Sequence, residues 1–541
     1  MPYRTGGHWE KECGTMTDES ELTPAKRISA GYAVEGQALE LGTVVVDGQV
    51  DPTAQIRIPL ATVNRHGLVA GATGTGKTKT LQLIAEQLSA AGVPVFMADV
   101  KGDLSGLSRP GEGNDKTAAR VNDTGDNWQP TGFPVEFLSL GTKGIGVPVR
   151  ATVAGFGPVL LSKVLGLNAT QESTLGLIFH WAEARNRRLV TLNDLRTVIG
   201  HLTSDEGKAD LKSLGGVSST TAGVILRALV NLEGEGGDTF FGEPKLDSND
   251  LLRQDGQGRG IISLLEFSGQ SLRPVIFSTF LMWLLAELFK ELPEVGDVDK
   301  PKLVFFFDEA HLLFADASKA FLEQVEQTVK LIRSKGVGVF FCTQLPTDLP
   351  NDVLSQLGAR IQHALRAFTP DDQAALSKTV RTYPKTDVYD LESALTSLGI
   401  GEAVVTVLSE RGAPTPVAWT RMRVPRSLMA AIGTDAVAEA AKQSSLQAKY
   451  GRTVEQQPEP TEVVDRAPAP PGGGYPPLPA NTDIPPMPAP FEPSSSRQKE
   501  PAVWEEVLDH PAVKGGINTV LREVVRNLMG RGGSRSRRRR K

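Results

Sequence analysis

A glycine-rich segment at residues 71–78 has the composition and spacing of a loop that holds a phosphate group. It consists of Gly71, Ala72, Thr73, Gly74, Thr75, Gly76, Lys77 and Thr78, which fit the pattern G-x-x-x-x-G-K-[ST]. Small residues allow successive backbone N–H groups to point at one anion, and the N-terminus of a following helix adds partial positive charge. Lys77 can then reach the β- and γ-phosphate oxygens, and the Thr78 hydroxyl can bind Mg²⁺. An apolar run precedes the segment and a helical pattern follows it, which favours a nucleotide-binding loop over a simple glycine-rich turn.

Two adjacent carboxylates end another apolar run, KLVFFFDEAH. Asp308 can hold a metal ion through its hydration shell, and Glu309 can polarise a water molecule that attacks a phosphate. A second carboxylate directly after the metal-binding aspartate suggests hydrolysis by water rather than transfer to a bound acceptor. The alternative is a helix N-terminus, where the helix dipole favours acidic residues. The buried strand expected in front of the pair favours the catalytic interpretation.

A third apolar run, VGVFFCTQ, ends in a polar pair. Gln344 would lie at the carboxyl edge of a parallel sheet, which is where ligands of open α/β sheets bind. Its side chain could sense the γ-phosphate or orient the attacking water there. Alternatively, Thr343 and Gln344 only cap the loop before Pro346.

A fourth segment, PVFMADVKGDLSGL, has carboxylates on both sides of a lysine. Asp99 and Asp103 flank Lys101 just after a predicted strand, at the edge where a nucleotide would bind. They could contact the nucleotide region or a neighbouring subunit. An Asx turn with Gly102 is the alternative.

A fast hydrolytic site also needs a cation that neutralises charge on the transferred phosphate. Arg333 in KLIRSKGVGV and Arg360 in LGARIQHAL are the two candidates. Each follows Glu309 by a stretch long enough to reach the opposite side of the domain, so each would act on the site of an adjacent subunit. Single arginines are usually solvated surface residues, which is the alternative for both.

Apolar strands alternate with helical patterns around these residues, and this alternation predicts an α/β fold with a mainly parallel sheet. Short runs such as LVFFF are typical of strands that are covered on both faces. The longest apolar stretch, residues 275–289, is shorter than the roughly 20 residues that span a bilayer, and it contains Glu287. We interpret it as a buried helix and expect no transmembrane segment.

The pattern along the chain predicts six regions. In order, they are a disordered N-terminus (1–30), the first part of the nucleotide-binding core (31–150), a mainly helical insertion (151–255), the second part of the core (256–430), a helical end followed by a linker (431–502), and an amphipathic helix with a basic tail (503–541). The linker has 13 prolines between residues 458 and 493, and the last eleven residues hold seven cationic groups, so we expect both to be disordered.

The composition, with 40% apolar and 22% charged residues, is that of a soluble globular protein. The net charge of -5 gives no overall attraction to nucleic acid, so contact with a polyanion would depend on a local patch. Only two cysteines occur, Cys13 and Cys342, which argues against a disulfide framework and against a thiolate metal site. We expect a cytoplasmic protein.

With these residues in place, the chain resembles the HerA-FtsK group of P-loop ATPases, and within it a bacterial HerA-like helicase branch. The matching segments lie within residues 60–375 and read RHGLVAGATGTGKTKTLQ, ADVKGDLSGL, FFFDEAHLLF, KLIRSKGVGVFFCTQ and VLSQLGARIQHALRAFTPDDQ. The resemblance implies a RecA-like core of the class with an additional catalytic glutamate (ASCE), which binds ATP and Mg²⁺. The roles that it implies by position are nucleotide and magnesium contacts for Lys77 and Thr78, catalytic base for Glu309, sensor for Gln344, and a finger from the adjacent subunit for Arg333 or Arg360.

The resemblance also implies a hexameric ring with nucleotide between subunits, acting on double-stranded DNA that it pumps or unwinds. Arginines in WAEARNRR and the basic tail could contact DNA, although a solvated helix face and a solubilising end explain them as well. A second hypothesis is an ATP-driven switch or assembly scaffold that does not act on DNA, with the linker and tail recruiting a protein partner or an anionic membrane.

Overall fold

Twelve strands join into one sheet in the part of the chain that the structure describes. The computed structural model describes residues 22–210, 216–267, 274–296, 298–314 and 319–452. In chain order the strands are β1 (Ala38–Val46), β2 (Gln49–Pro59), β3 (Gly67–Ala70), β4 (Val95–Asp99), β5 (Val135–Leu140), β6 (Val147–Val149), β7 (Ile262–Glu266), β8 (Leu303–Phe307), β9 (Val337–Thr343), β10 (Ala359–Gln362), β11 (Glu402–Val407) and β12 (Ala418–Met422).

Helices connect these strands and cover the sheet. Before β7 they are α1 (Pro24–Ala30), α2 (Lys77–Ala90), α3 (Asp115–Thr124), α4 (Val153–Val164), α5 (Ala169–Ala184), α6 (Leu192–Thr203), α7 (Gly207–Asp210), α8 (Ser219–Gly234) and α9 (Gly237–Phe240). After β7 they are α10 (Pro274–Glu291), α11 (His311–Phe314), α12 (Lys319–Ile332), α13 (Asn351–Leu354), α14 (Pro370–Val380), α15 (Leu391–Ser397), α16 (Thr434–Gln443) and α17 (Gln447–Tyr450).

The sheet has the strand order β2-β1-β12-β11-β10-β3-β9-β8-β4-β7-β5-β6. The eight strands from β10 to β6 are parallel to one another. The other four strands pair antiparallel and extend the sheet at the β10 end. The predicted α/β fold with a mainly parallel sheet is therefore confirmed.

The central strands are buried on both faces, as their continuous apolar runs predict. Successive side chains of a strand point to opposite faces, and in β8 Phe305 and Phe307 join one hydrophobic core while Phe306 joins the other. In β9, Phe341 belongs to the first core and Phe340 to the second. Full burial of one such ring contributes roughly 1.5–3 kcal/mol, so these residues hold the sheet between its two helix layers.

Helices α4 to α9 lie between β6 and β7 in the chain, and their apolar faces share one core with α10. Phe156 of α4 stacks on Trp283 of α10 with ring centroids 6.3 Å apart. Capping boxes begin two of these helices, at Asn168 for α5 and at Thr191 for α6. The division of the chain into domains remains a prediction.

Helix α10 agrees with the prediction for the longest apolar stretch, since its described side chains from Phe280 to Leu285 are almost all buried. The Glu287 carboxylate on this helix accepts a hydrogen bond of 2.6 Å from the Lys245 ammonium. No helix among the described residues has the length and apolar character needed to cross a bilayer.

We predicted disorder for residues 1–30, which is wrong for the last seven residues of that range, because they form α1. The Thr23 side chain caps the helix, Pro24 occupies its first turn, and Ala25 and Ile28 are buried. Short helices of this kind depend on packing rather than on a periodic pattern, so the polar sequence hides them. Residues 1–21, the rest of the proline-rich linker from residue 453, the expected amphipathic helix and the basic tail lie outside the described residues.

Candidate nucleotide site

The glycine-rich loop joins β3 to α2, and its three glycines have backbone angles that disfavour other residues. Gly71, Gly74 and Gly76 have φ values of 148°, 81° and 118°. A Cβ atom on Gly71 would lie 2.6 Å from the His363 Cβ, and one on Gly76 would lie 3.3 Å from the Gly401 backbone. The loop therefore takes its shape from both local conformation and close neighbours.

Neighbouring strands hold this loop in place through backbone hydrogen bonds. The Gly71 N–H lies 3.2 Å from the Gln344 carbonyl oxygen at the end of β9, and the Ala72 N–H donates to the Ala364 carbonyl after β10 at 2.8 Å. On the other side, the Gly401 N–H donates to the Thr75 carbonyl at 2.9 Å. These contacts fix the loop before any ligand arrives, which lowers the cost of binding.

The Lys77 side chain folds back over the loop. Its ammonium donates to the Gly71 carbonyl at 2.7 Å and to the Ala72 carbonyl at 3.2 Å, and the residue is 8% exposed. Thr78 is half-buried at the second position of α2. Both side chains begin the helix that the loop opens, in the arrangement that the phosphate-binding pattern requires.

A buried histidine, His363, lies against the loop and was not predicted from the sequence. His363 lies with Nε2 2.9 Å from the Thr80 hydroxyl and Nδ1 2.8 Å from the Glu402 carbonyl oxygen. Burial lowers the pKa of His363 to about 4, and the nearby Lys77 charge adds to the effect. The ring is therefore neutral, with Nδ1–H donating to Glu402 and Nε2 accepting from Thr80. Its position directly after β10 was the available signal.

The acidic pair lies at the same edge of the sheet as the loop. Strand β9 pairs with β3 on one side and with β8 on the other. Parallel strands end at a common edge, and neighbouring strands are about 4.8 Å apart, so the ends of β3 and β8 are separated by roughly 10 Å. Asp308 directly follows β8, and the structure thus brings Lys77, Asp308 and Glu309 to one edge, as predicted.

Asp308 lies where a metal-binding carboxylate is expected, directly after β8. The residue is 2% exposed, its Oδ1 accepts a hydrogen bond of 2.9 Å from the Glu309 N–H, and its Oδ2 is buried without a hydrogen-bond partner. Burial raises the pKa of Asp308, and the Cys342 thiol lies beside it. An unpartnered buried oxygen is costly unless a cation or water satisfies it. Since Mg²⁺ binds through one or two protein groups together with waters and phosphates, Asp308 and Thr78 fit this ion.

Glu309, the next residue, has a strained backbone, and its carboxylate lies beside Lys101 and His311. Its φ is 48°, an angle that is uncommon for a residue with a side chain and that often marks functional sites. One carboxylate oxygen, Oε1, forms an ion pair with the Lys101 ammonium, and the other, Oε2, lies 3.3 Å from His311 Nδ1. The side chain is 8% exposed and lies at the site.

The segment that carries Lys101 forms the Asx turn that was one of our two interpretations. Asp99 Oδ1 accepts from the Lys101 N–H at 3.2 Å and from the Gly102 N–H at 2.7 Å, and Oδ2 accepts from the Leu104 N–H at 2.8 Å. Burial raises the pKa of Asp99 to about 7, and the nearby Glu266 carboxylate acts in the same direction. Asp99 is fully buried, so its role is to shape the turn.

Thr343 and Gln344, the polar pair at the end of β9, lie in different environments. The Thr343 hydroxyl donates to Asp348 Oδ2 at 2.6 Å, and the Leu345 N–H donates to the same oxygen at 2.9 Å, which closes the following turn. Gln344 is exposed at the carboxyl end of β9, beside the loop that its carbonyl contacts. Capping therefore explains Thr343, while a sensing role for Gln344 remains a prediction.

The two candidate arginines lie in different surroundings. Arg333 is exposed and precedes β9, at the amino edge of the sheet, so the seven residues of β9 separate it from the loop edge of the same chain. Arg360 lies within β10, is half-buried, and donates to the Thr382 carbonyl at 3.0 Å. A role in an adjacent subunit remains a prediction for both, and the exposure of Arg333 favours it. Arg366, which the sequence reasoning missed, is exposed with its guanidinium 3.4 Å from the Thr73 carbonyl.

The loop, the strand order β3-β9-β8 and the Asp308–Glu309 pair define a P-loop ATPase with an additional strand and glutamate. The chain belongs to the Helicase HerA-like C-terminal family, whose sequence profile matches residues 45–538.

Individual relatives are distant. The DNA double-strand break repair helicase HerA of Saccharolobus solfataricus is 22% identical over 401 residues, which cover 72% of this chain and 70% of that protein. Among solved structures, the plasmid coupling protein TrwB in complex with the GTP analogue GDPNP is 15% identical, with a TM-score of 0.48 over 74% of this chain and 98% of that one. VirB4 of Thermoanaerobacter pseudethanolicus is 13% identical, with a TM-score of 0.46 over 72% of this chain and 97% of that one.

Proposed function

We propose that this protein is an ATP-driven motor that assembles into a hexameric ring and translocates on or unwinds double-stranded DNA. The observation that carries the catalytic part is the common edge at which β9 separates the Lys77 loop from Asp308 and Glu309 by a single strand. Membership of the HerA-like family, and a relative described as a DNA repair helicase, support the part that concerns DNA.

The site residues divide the hydrolysis of ATP among them. Backbone N–H groups of the loop and the Lys77 ammonium bind the β- and γ-phosphates. Thr78 and Asp308 would hold Mg²⁺, which neutralises phosphate charge when bound. Glu309 accepts a proton of the water whose oxygen attacks the γ-phosphorus, while the bond to the β,γ-bridging oxygen breaks and ADP leaves. Gln344, at the same edge, would orient that water or report the γ-phosphate.

Two substitutions test the assignment of the site. Lys77→Ala should reduce ATP hydrolysis to background, because the phosphates lose their buried cation. Glu309→Gln should keep ATP binding but lower kcat by roughly 10²–10⁴, the usual contribution of a general base. The exposed residues Lys116 and Glu112 give matched controls, and Lys116→Ala and Glu112→Gln should hydrolyse ATP as the wild type does. Wild-type turnover in Lys77→Ala would refute the site.

Double-stranded DNA separates the motor from a nucleotide-driven switch or scaffold. A linear duplex added at low salt should raise the ATPase rate of the wild type, and Glu309→Gln should lose the stimulated rate together with the basal one. Low salt is needed because phosphate contacts weaken steeply as salt is added. Wild-type hydrolysis that is indifferent to DNA under these conditions would favour the switch.

A further inference from the structure

The proposed reaction needs the Glu309 carboxylate as a base, and in this structure its Oε1 forms an ion pair with the Lys101 ammonium. We propose that Lys101 is a latch that keeps Glu309 away from water until the γ-phosphate of bound ATP competes for the Lys101 ammonium. This inference rests on the proposed function and adds a positioning residue to its site.

The fold builds the latch from the neighbouring strand. Strand β4 pairs with β8 in a register that places Ala98 opposite Phe307, so the segments that follow both strands emerge side by side. The turn around Asp99 then directs the chain so that Lys101, two residues past Asp99, faces Glu309. Three N–H groups donate to the Asp99 carboxylate, which gives this turn a defined shape.

The ion pair holds the Glu309 carboxylate by one of its two oxygens. Oε1 accepts from the Lys101 ammonium, whereas Oε2 is buried without a hydrogen-bond partner, 3.3 Å from His311 Nδ1. A general base must lie within hydrogen-bond reach of the water proton that it removes. As long as Lys101 holds Oε1, the carboxylate is fixed in one orientation, and release of the pair frees it to turn towards the attacking water.

Lys101 can leave more easily than Glu309. The Lys101 side chain is 47% exposed, whereas that of Glu309 is 8% exposed and is carried by a strained backbone. A lysine has a flexible stem and a strongly hydrated ammonium with three donors, so it can change partner without disturbing the core. The γ-phosphate of ATP carries more negative charge than one carboxylate and would arrive at the same edge of the sheet. Lys101 can therefore leave Glu309 and bind the γ-phosphate instead.

Replacement of Lys101 by a neutral side chain should release the base. We expect Lys101→Met to raise the basal kcat, measured without DNA, by roughly tenfold, because a charge-assisted hydrogen bond no longer has to break before hydrolysis. The KM for ATP should rise by no more than about threefold, since the loop and Lys77 hold the phosphates and Lys101 adds only a partly exposed contact to them. Lys101→Arg retains the charge and should keep the low basal rate. Lys116→Met, on the exposed face of α3, is the control for loss of a lysine.

The latch and a merely structural role give different results. A structural role predicts lower thermal stability and lower activity, so melting temperatures accompany the kinetics, and Lys101→Gln replaces Lys101→Met if the latter melts early. The double variant Lys101→Met/Glu309→Gln should show no increase, because the released group is absent. A fall in kcat for Lys101→Met at normal stability would overturn the latch and make Lys101 a catalytic cation. An unchanged kcat would also overturn it.

The experiments distinguish a wrong latch proposal from a wrong proposed function. If the wild type hydrolyses ATP and Lys77→Ala does not, the site assignment stands whatever Lys101→Met does. If neither the wild type nor Lys101→Met hydrolyses ATP, both proposals fail.

Discussion

Gly76 shows how closely the loop is fitted to its neighbours. Its φ of 118° disfavours any other residue, and a Cβ would meet the Gly401 backbone at 3.3 Å. Gly76→Ala must therefore either distort the loop or displace the turn at Gly401. We expect the Kd for ATP to rise roughly tenfold or more, because the distorted loop no longer presents its N–H groups to the phosphates in the same geometry.

Titration with a fluorescent ATP analogue measures this effect. Gly256→Ala is the matched control, since the space around Gly256 is open and the variant should bind like the wild type. Equal affinities for the two variants would mean that the loop tolerates a side chain at Gly76 and that our account of its geometry is wrong.

Sequence reasoning found the residues of the site whose evidence is local. The loop and Asp308 with Glu309 are recognisable because each follows an apolar run with a fixed spacing. The Thr80–His363 contact joins residues 283 positions apart, and the Lys101–Glu309 pair joins residues 208 apart. Nothing in a local pattern predicts which strand ends will be neighbours, so these partners became visible only with the sheet order.

At the scale of the elements, His66 ties three of them together at the amino edge of the sheet. It precedes β3, its Nε2 lies 2.8 Å from the Val329 carbonyl of α12, and its Nδ1 accepts from the Val339 N–H of β9 at 3.0 Å. Burial lowers the pKa of His66 to about 4 from its ordinary value of 6.5, and the nearby Arg333 charge acts in the same direction. The neutral ring is thus the form that the fold requires.

This pKa shift predicts a loss of stability in acid. Because the folded-state pKa lies below the unfolded one, the contribution of His66 is fully present above pH 6.5 and is lost as the pH falls from 6.5 towards 4. At pH 5 the loss is about 2 kcal/mol for one such histidine. Asn tolerates the φ of 62° at this position and does not titrate, so His66→Asn should lose less stability than the wild type between pH 7.5 and pH 5.

Melting temperatures at the two pH values check this prediction. The substitution removes hydrogen bonds, so the relevant quantity is the difference between the two pH values and not the absolute stability. His180→Asn alters an exposed histidine of α5 and should leave that difference unchanged. If His66→Asn retains the full wild-type difference, His66 does not titrate as a buried neutral ring.

Whether a strand or helix could be predicted from the sequence depends on what stabilises it. The runs LVFFF and VGVFFCT became β8 and β9 because strands buried on both faces must be apolar throughout. The four antiparallel strands were not assembled from the sequence, since β12 lies between β11 and β1, whose residues are far apart in the chain. Helix α1 was missed because its stability comes from burial of Ala25 and Ile28 against partners that are also distant.

At the scale of the whole molecule, the two edges of the sheet have different roles. The carboxyl edge holds the loop and the acidic pair, and the amino edge presents the exposed Arg333. The seven residues of β9 span roughly 20 Å, too far for Arg333 to reach the site of its own chain. If Arg333 contacts the γ-phosphate, it must therefore do so from an adjacent copy, which makes assembly a requirement for rapid hydrolysis. Loss of such an arginine costs roughly a thousandfold or more in rate.

Mixed assemblies test this requirement directly. Glu309→Gln and Arg333→Ala should each be nearly inactive alone, but a 1:1 mixture forms some interfaces in which one subunit supplies Glu309 and its neighbour supplies Arg333. Random mixing makes about a quarter of the interfaces intact, so activity should recover to about that fraction of the wild type. Glu309→Gln mixed with Lys77→Ala is the control. Random mixing leaves about half of its sites, those of the Lys77→Ala subunits, with Glu309 and the neighbour's Arg333 intact. Without Lys77 to hold the phosphates, these sites should stay inactive.

The same experiment separates the two arginines. Arg360 donates to the Thr382 carbonyl of its own chain, so Arg360→Ala should lower stability and should not be rescued by Glu309→Gln. Recovery with Arg360→Ala alone would transfer the role from Arg333 to Arg360. If neither mixture recovers activity while each variant remains folded, no arginine of this pair acts between subunits, and the amino edge must serve another purpose.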